Sequence, residues 1–255
     1  MLREERWQKL EAYIREHEFV SYADMLREFG ISKSTAYRDL QAVCKMHSGI
    51  VFTRGGVMSI KESVGSEATL SQRSTQFTAE KQRIAKEASA MIHRKDTIYL
   101  DSGTTNREMI PYLMEMEQIQ VITNDLLIAV DLAKNPNIDV LVVGGLVRKE
   151  FYNLLGYKAE SFMQEIRCDI AFLNVDAVDV TRGYMNTNMN EVAMKKAVIR
   201  AANHIVVLCD HSKFETVAFM SICDFDSVDL LITDHGVAPE MVQMLQAQKA
   251  KIKLV

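Results

Sequence analysis

The run YLDSGTT at residues 99–105 sets an acid, a serine, a glycine and two threonines directly behind an apolar stretch. A glycine lets a ligand approach the backbone, and the N–H groups opening a following helix point outward with the positive end of its dipole. Ser102, Thr104 and Thr105 add hydroxyl donors, so the spacing suits a phosphate group. The same residues also read as a plain strand-end turn and helix cap. Further polar residues stand behind other apolar runs: Asn124-Asp125, Gly144-Gly145, Asp176 and Asp210. Lys195 and Lys213 are the cations available to balance a bound anion. His211 beside Asp210 resembles an acid–base pair, yet chain neighbours rarely face one another, and a structural histidine is the simpler reading.

The apolar runs are short, rich in Val, Ile and Leu, and alternate with helical patterns from Thr78 onward. Strands are expected at 97–101, 119–123, 138–145, 169–175, 204–210 and 228–234. Helices are expected near 78–93 and 104–116, with another opened by Asn124 and Asp125. That alternation indicates an α/β domain with a mostly parallel sheet buried on both faces. Ligands of such sheets bind outside the carboxyl ends of the strands, which is where the polar residues gather.

The 255 residues are 48% apolar and 25% charged, with a formal net charge of −4. No global basic field advertises nucleic acid, although a local patch can be masked. No apolar run of about 18 residues suggests a membrane span. The first 19 residues are charged from residue 3 and lack a signal-peptide core, so a cytoplasmic protein is expected. Four widely spaced cysteines, Cys44, Cys168, Cys209 and Cys223, read as buried free thiols. No zinc spacing is present, and neither a metal nor a cofactor is called for.

Residues 1–60 differ in character from the rest. In FVSYADMLREFGISKSTAYRDLQAV, Ser21 can cap one helix, Gly30 can end it, and Ser32 can cap a second. Two short helices about a glycine turn form a helix-turn-helix, with a leading helix at 7–15 completing its core. Beyond them IVFTRGGVMSI alternates around Arg54, Gly55 and Gly56 as a β-wing. Residues 30–60 carry Lys33, Arg38, Lys45 and Arg54 against Asp39 alone, a local excess of positive charge. Ser32, Lys33, Ser34, Thr35, Tyr37 and Arg38, with Arg54 and Gly55 on the wing, are the candidate DNA-contacting residues. Residues 61–77, rich in Ser, Thr, Glu and Gln, read as a linker to a domain at 78–255.

GISKSTAYRDLQAV followed by FTRGGV resembles the winged helix-turn-helix of the DeoR family of bacterial transcriptional regulators. Thr35, Arg38, Asp39, Leu40, Gly55 and Gly56 fall on its pattern, whereas Ala36 and Tyr37 replace a β-branched residue and an arginine. LDSGTT, TND, VVGG, EVAMKKA, CDHSKF and LLITD then follow in the order of the family's sensor domain. That domain is similar to ribose-5-phosphate isomerase, and the resemblance implies a sugar-phosphate site around the S-G-T-T loop. It carries over Asp101, Ser102, Gly103, Thr104, Thr105, Asn124, Lys195, Asp210 and Lys213; strand-end position adds Gly144 and Gly145. At NVDAVD (174–179) the chain departs from a glycine-richer pattern, so Asp176 and Asp179 are expected to narrow the pocket.

The expected function is a DNA-binding repressor of a carbohydrate-metabolism operon, controlled by a phosphorylated sugar. Its expected partners are operator DNA, that effector and further copies of itself in a homodimer or homotetramer. The alternative is a sugar-phosphate isomerase with an accessory helix-turn-helix. Asp101, Asp176 and Asp210 are then the candidate general bases.

Overall fold

The computed structural model describes residues 3–17, 19–46, 50–53, 55–59, 67–214, 216 and 218–255. They divide into two compact units, Met1–Gln76 and Phe77–Val255. Residues 61–66 of the expected linker lie outside the described residues, and Leu70–Thr75 of it form a helix. That helix starts at a capping box, where Thr69 and Gln72 bond each other's backbone N–H.

In the first unit α1 (Arg3–His17), β1 (Phe19–Ser21), α2 (Tyr22–Phe29) and α3 (Lys33–Met46) precede the wing strands β2 (Ile50–Thr53) and β3 (Gly56–Ser59). Ser21 Oγ accepts from Asp24 N at 3.1 Å, and the Asp24 carboxylate accepts from Ser21 N at 3.3 Å. Gly30 ends α2 with φ 59°, and Ser32 Oγ accepts from Thr35 N at 3.3 Å to open α3. The wing gains a third strand, in the antiparallel order β1-β3-β2. A Cβ on Gly56 would lie 2.1 Å from the Val20 carbonyl oxygen, so only glycine lets β3 approach β1 so closely.

The core of this unit is Leu10, Ile14, Val20, Met25, Ala36, Leu40, Val43, Ile50 and Val57. Asp39 is buried beside it. Its carboxylate accepts from the Arg6 guanidinium at 2.6 and 3.2 Å and from the Trp7 indole at 2.8 Å, fixing α1 to α3.

The second unit adds, after α4 (Leu70–Thr75) of the first, α5 (Thr78–Ser89), β4 (Thr97–Leu100), α6 (Thr104–Arg107) and α7 (Ile110–Leu113). Next come β5 (Ile119–Thr123), α8 (Leu126–Leu132), β6 (Ile138–Val142), β7 (Leu146–Arg148), β8 (Asn153–Leu155) and α9 (Tyr157–Glu165). Then follow β9 (Cys168–Asn174), β10 (Ala177–Asp179), β11 (Gly183–Asn186), α10 (Met189–Ala201), β12 (Ala202–Leu208) and β13 (Met220–Cys223). The chain closes with β14 (Leu230–Thr233), α11 (Pro239–Ala247) and β15 (Ile252–Leu254).

Among the described residues, seven strands form one parallel sheet in the order β15-β14-β12-β9-β4-β5-β6. Alternate residues feed two cores. Ile98, Leu100, Phe172 and Val206 pack with α5, α7 and α8 residues, while Tyr99, Ala171, Leu173 and Val207 pack with those of α9 and α10.

Three expectations need correction. The helix expected at 104–116 is two single turns, because Pro111 has no N–H to donate back across the break. Gly144-Gly145 lies beyond β6, in the loop before a β7–β8 hairpin that apolar runs did not reveal. Finally β6, expected to be buried, is the last strand of the sheet and exposes Leu141 and Val142. Asp39→Ala is expected to destabilise the first unit by about 2 kcal/mol, the worth of lost charge-assisted bonds. Faster amide exchange in α1, with that of β4 and β9 unchanged, is the check.

Candidate functional site

On α3 the exposed Ser34, Tyr37, Arg38 and Gln41 recur at helical spacing, opposite the buried Ala36, Leu40 and Val43. Lys33 is exposed at the helix start, and the first turn carries no acid. That end of α3 suits a phosphate. Ser32 and Thr35 are partly used within the cap, their hydroxyls 2.9 Å apart. Arg38 Nε donates to the Ser34 carbonyl at 3.3 Å.

Tyr37, 48% exposed, lies against Phe52 of β2, 42% exposed, with ring centroids 6.0 Å apart. Phe52 joins this face without having been singled out from sequence, where it looked like one more apolar wing residue. Gly55 turns the wing at φ 96°, and Arg54 lies outside the described residues.

In the second unit the sheet order sets the ends of β6, β5, β4, β9, β12 and β14 side by side. Asp101 follows β4 and is buried. It forms an ion pair with Lys195 of α10, also buried, and accepts from Asn174 N at 3.1 Å. Burial works against the Lys195 ammonium, but Asp101 and Glu191 hold it above the ordinary lysine range.

Ser102 donates to Asp125 Oδ2 at 2.9 Å, while Asp125 Oδ1 caps α8 by accepting from Leu127 N and Ile128 N at 2.8 and 3.0 Å. Asp125 therefore fixes the loop as well as capping α8, the helix it was expected to open. A Cβ on Gly103 would lie 2.5 Å from Asn174 Cγ, so glycine is needed for that close packing. Thr104 is half-buried and Thr105 buried; the one-turn α6 behind them supplies backbone N–H groups but little dipole.

Several predicted residues prove to be committed to the protein. Asn124 is buried, accepting from Tyr99 Oη at 2.9 Å and donating to the Leu154 carbonyl at 3.3 Å. Gly145 packs so closely that a Cβ would meet the Leu155 carbonyl oxygen at 2.6 Å, whereas Gly144 faces open space. Asp210 is buried and accepts from both the backbone N–H, at 3.1 Å, and the hydroxyl of Ser212. Lys213 is half-buried in the turn His211–Phe214.

Asp176 accepts from Thr187 N at 2.9 Å, and Asp179 accepts from Thr181 N and Arg182 N at 2.8 and 2.9 Å. Both acids thus anchor the β10–β11 hairpin and its exit, and Asp176 also adds to the negative charge around Lys195. Glu191, one helical turn before Lys195, forms an ion pair with Arg148 of β7. It also accepts from Asn153 and Asn186 at 2.8 and 2.7 Å.

His211 pairs with Asp234 behind β14, not with its neighbour Asp210. The ring Nδ1 is 2.8 Å from Asp234 Oδ2, and His211 N donates to Oδ1 at 2.7 Å. The bond to Asp234 raises the imidazole above its ordinary range against the effect of burial. Phe77 packs edge-on against that ring at 4.6 Å, its own φ held at 52°. The two partners lie 23 residues apart, so only the β12–β14 adjacency reveals the pair.

Residues 6–63 match the DeoR-like helix-turn-helix domain family, and residues 76–235 match the DeoR C terminal sensor domain family. An uncharacterized HTH-type transcriptional regulator of Haemophilus influenzae is 31% identical over 243 residues, 95% of this chain and 93% of its own. The putative aga operon transcriptional repressor of Escherichia coli O157:H7 is 27% identical, covering 98% and 93%. The glycerol-3-phosphate regulon repressor of Escherichia coli is 25% identical, covering 94% of each chain. Among solved structures, ribose 5 phosphate isomerase A from Neisseria gonorrhoeae shares 16% identity over 52% of each chain, with a TM-score of 0.39. With both halves matched in order along nearly its whole length, the chain belongs to the DeoR family of transcriptional regulators.

Proposed function

We propose that this regulator represses an operon of carbohydrate metabolism and is released or engaged by a phosphorylated sugar or a related phosphorylated metabolite. The observation that carries the effector reading is the loop 102–105, with its hydroxyls and N–H groups beside the Asp101–Lys195 pair. Two relatives point the same way by name, one for the aga operon and one for the glycerol-3-phosphate regulon. Operator contact falls to Lys33, Ser34, Tyr37 and Arg38 on α3, with the Gly55 turn beside them. Two copies of α3 on successive major-groove faces match a near-palindromic operator, as a homodimer or a homotetramer supplies.

The isomerase alternative asks for a carboxylate base facing substrate. Asp101, Asp176 and Asp210 are each bonded to the protein's own donors, which favours sensing over turnover. Transmission uses His211. Its turn follows Asp210 and its ring packs on Phe77, the first residue of the second unit. A non-glycine residue at φ 52° costs on the order of 1 kcal/mol or more and persists only while its surroundings hold it. A ligand that moves the 210–213 turn therefore relaxes or tightens the chain where it enters this unit.

Arg38→Ala is expected to weaken operator binding by roughly 1–3 kcal/mol at physiological salt. Unchanged affinity in an electrophoretic titration removes α3 from the interface. Thr104→Val is expected to abolish the melting-temperature rise given by the best ligand in a sugar-phosphate panel while leaving operator affinity intact. Turnover of that ligand by the wild type moves the assignment to an enzyme.

The raised imidazole also sets a pH dependence. The His211–Asp234 pair contributes fully below pH about 6.5, the unperturbed value, and is lost as pH rises through the higher folded value. The second unit's melting temperature is expected to fall across that window, and less steeply in His211→Gln. Equal slopes in the two proteins overturn the pair's role.

A further inference from the structure

Six of the ten exposed large hydrophobic side chains described in the second unit fall between Leu141 and Tyr157. They are Leu141 and Val142 on β6, Leu146 and Val147 on β7, then Tyr152 and Tyr157 flanking β8. Leu146 and Tyr157 are 80% and 77% exposed, more than an incidental surface leucine or tyrosine needs to be. β6 is also the last strand of the parallel sheet, bonded to β5 on one side only among the described residues. Its sequence IDVLV holds no lysine or proline of the kind that blunts a free edge.

We infer that this edge and the β7–β8 hairpin form the contact between two copies of the chain, related by a two-fold axis. A second copy fits better than another occupant on three grounds. A free strand edge is self-complementary, because a two-fold axis lays it antiparallel on itself and satisfies both rows of backbone groups. The six side chains expose roughly 700 Å² per chain, near the ~800 Å² each partner gives to a stable interface. The flanking exposed charges are Asp139, Lys149, Glu150 and Lys158, two of each sign, so the rim carries no net charge to repel a second copy and offers no field for an anionic partner.

The surface deepens the regulator reading and rests on it in one respect, that operator half-sites require two copies. Polar bonds also connect it to the proposed effector loop. Arg148 of the hairpin pairs with Glu191, to which Asn153 also donates, and Lys195, one turn along α10, holds Asp101. A change at residues 101–105 thus reaches the subunit contact through one helical turn.

Sedimentation velocity on the full chain tests the proposal. The wild type is expected at twice the 28.9 kDa chain mass or a higher multiple, Leu146→Glu and Tyr157→Glu at half the wild-type mass, and Met244→Glu unchanged. Leu146→Cys is expected to give a disulfide-linked dimer under oxidation. A monomeric wild type overturns the proposal in favour of another occupant, and so does wild-type mass in both glutamate variants. Arg38→Ala, which tests the DNA-binding reading, should keep the wild-type mass, so the two readings fail separately.

Discussion

An ammonium group taken out of water needs a carboxylate close by, and Lys195 finds one in Asp101 where β4 ends. Each buried charge costs several kcal/mol in lost hydration, so neither partner tolerates the absence of the other. The pair therefore fixes α10 across the carboxyl edge of the sheet. Glu191, four residues earlier on the same helix, then faces the same way and gathers Arg148, Asn153 and Asn186. Strand β4, helix α10, the β7–β8 hairpin and strand β11 are held by this one stripe of charge.

That stripe explains why the edge looks catalytic in sequence although the structure commits its polar groups to one another. Most of its acids and amides are occupied: Asp101 by Lys195, Asn124 by Tyr99, Asp125 by Ser102 and α8, Asp210 by Ser212. General-base catalysis needs an uncommitted group of suitable pKa, whereas recognition needs only fixed donors. The fixed groups hold the loop 102–105 in place, and in the proposed effector site its hydroxyls and N–H groups are the donors left for recognition.

What could be read from the chain divides along the range of the interactions. The box at Ser21 and Asp24, the stop at Gly30 and the Asp125 cap act within three residues, and their residue types announce them. The apolar runs mark six of the seven strands of the parallel sheet, because both faces of such a sheet are buried; β15, three residues long at its far edge, is too short to stand out. Apolarity alone could not tell a central strand from β6 at the edge, nor show that Asp39 of the family pattern serves α1 through Arg6 and Trp7. The His211–Asp234 pair and the bonds of Glu191 to Asn153 and Arg148 join residues 23 to 43 positions apart, a proximity that strand order creates and local spacing cannot encode.

A ligand shifts a regulator only by binding two arrangements unequally, so some part of the unit must have a second arrangement to offer. The seven-stranded sheet, packed on both faces, is a poor source, since close-packed interiors resist deformation. The better sources are the elements tied by a few polar bonds at its edge. One is the β7–β8 hairpin, reaching α10 through Arg148 and Asn153; the other is the turn after Asp210, whose His211 ring supports Phe77. The first leads to the proposed subunit contact and the second to the start of the unit. At the proposed 102–105 site an effector would reach the first through Asp101, Lys195 and Glu191, so its differential affinity would act on subunit spacing.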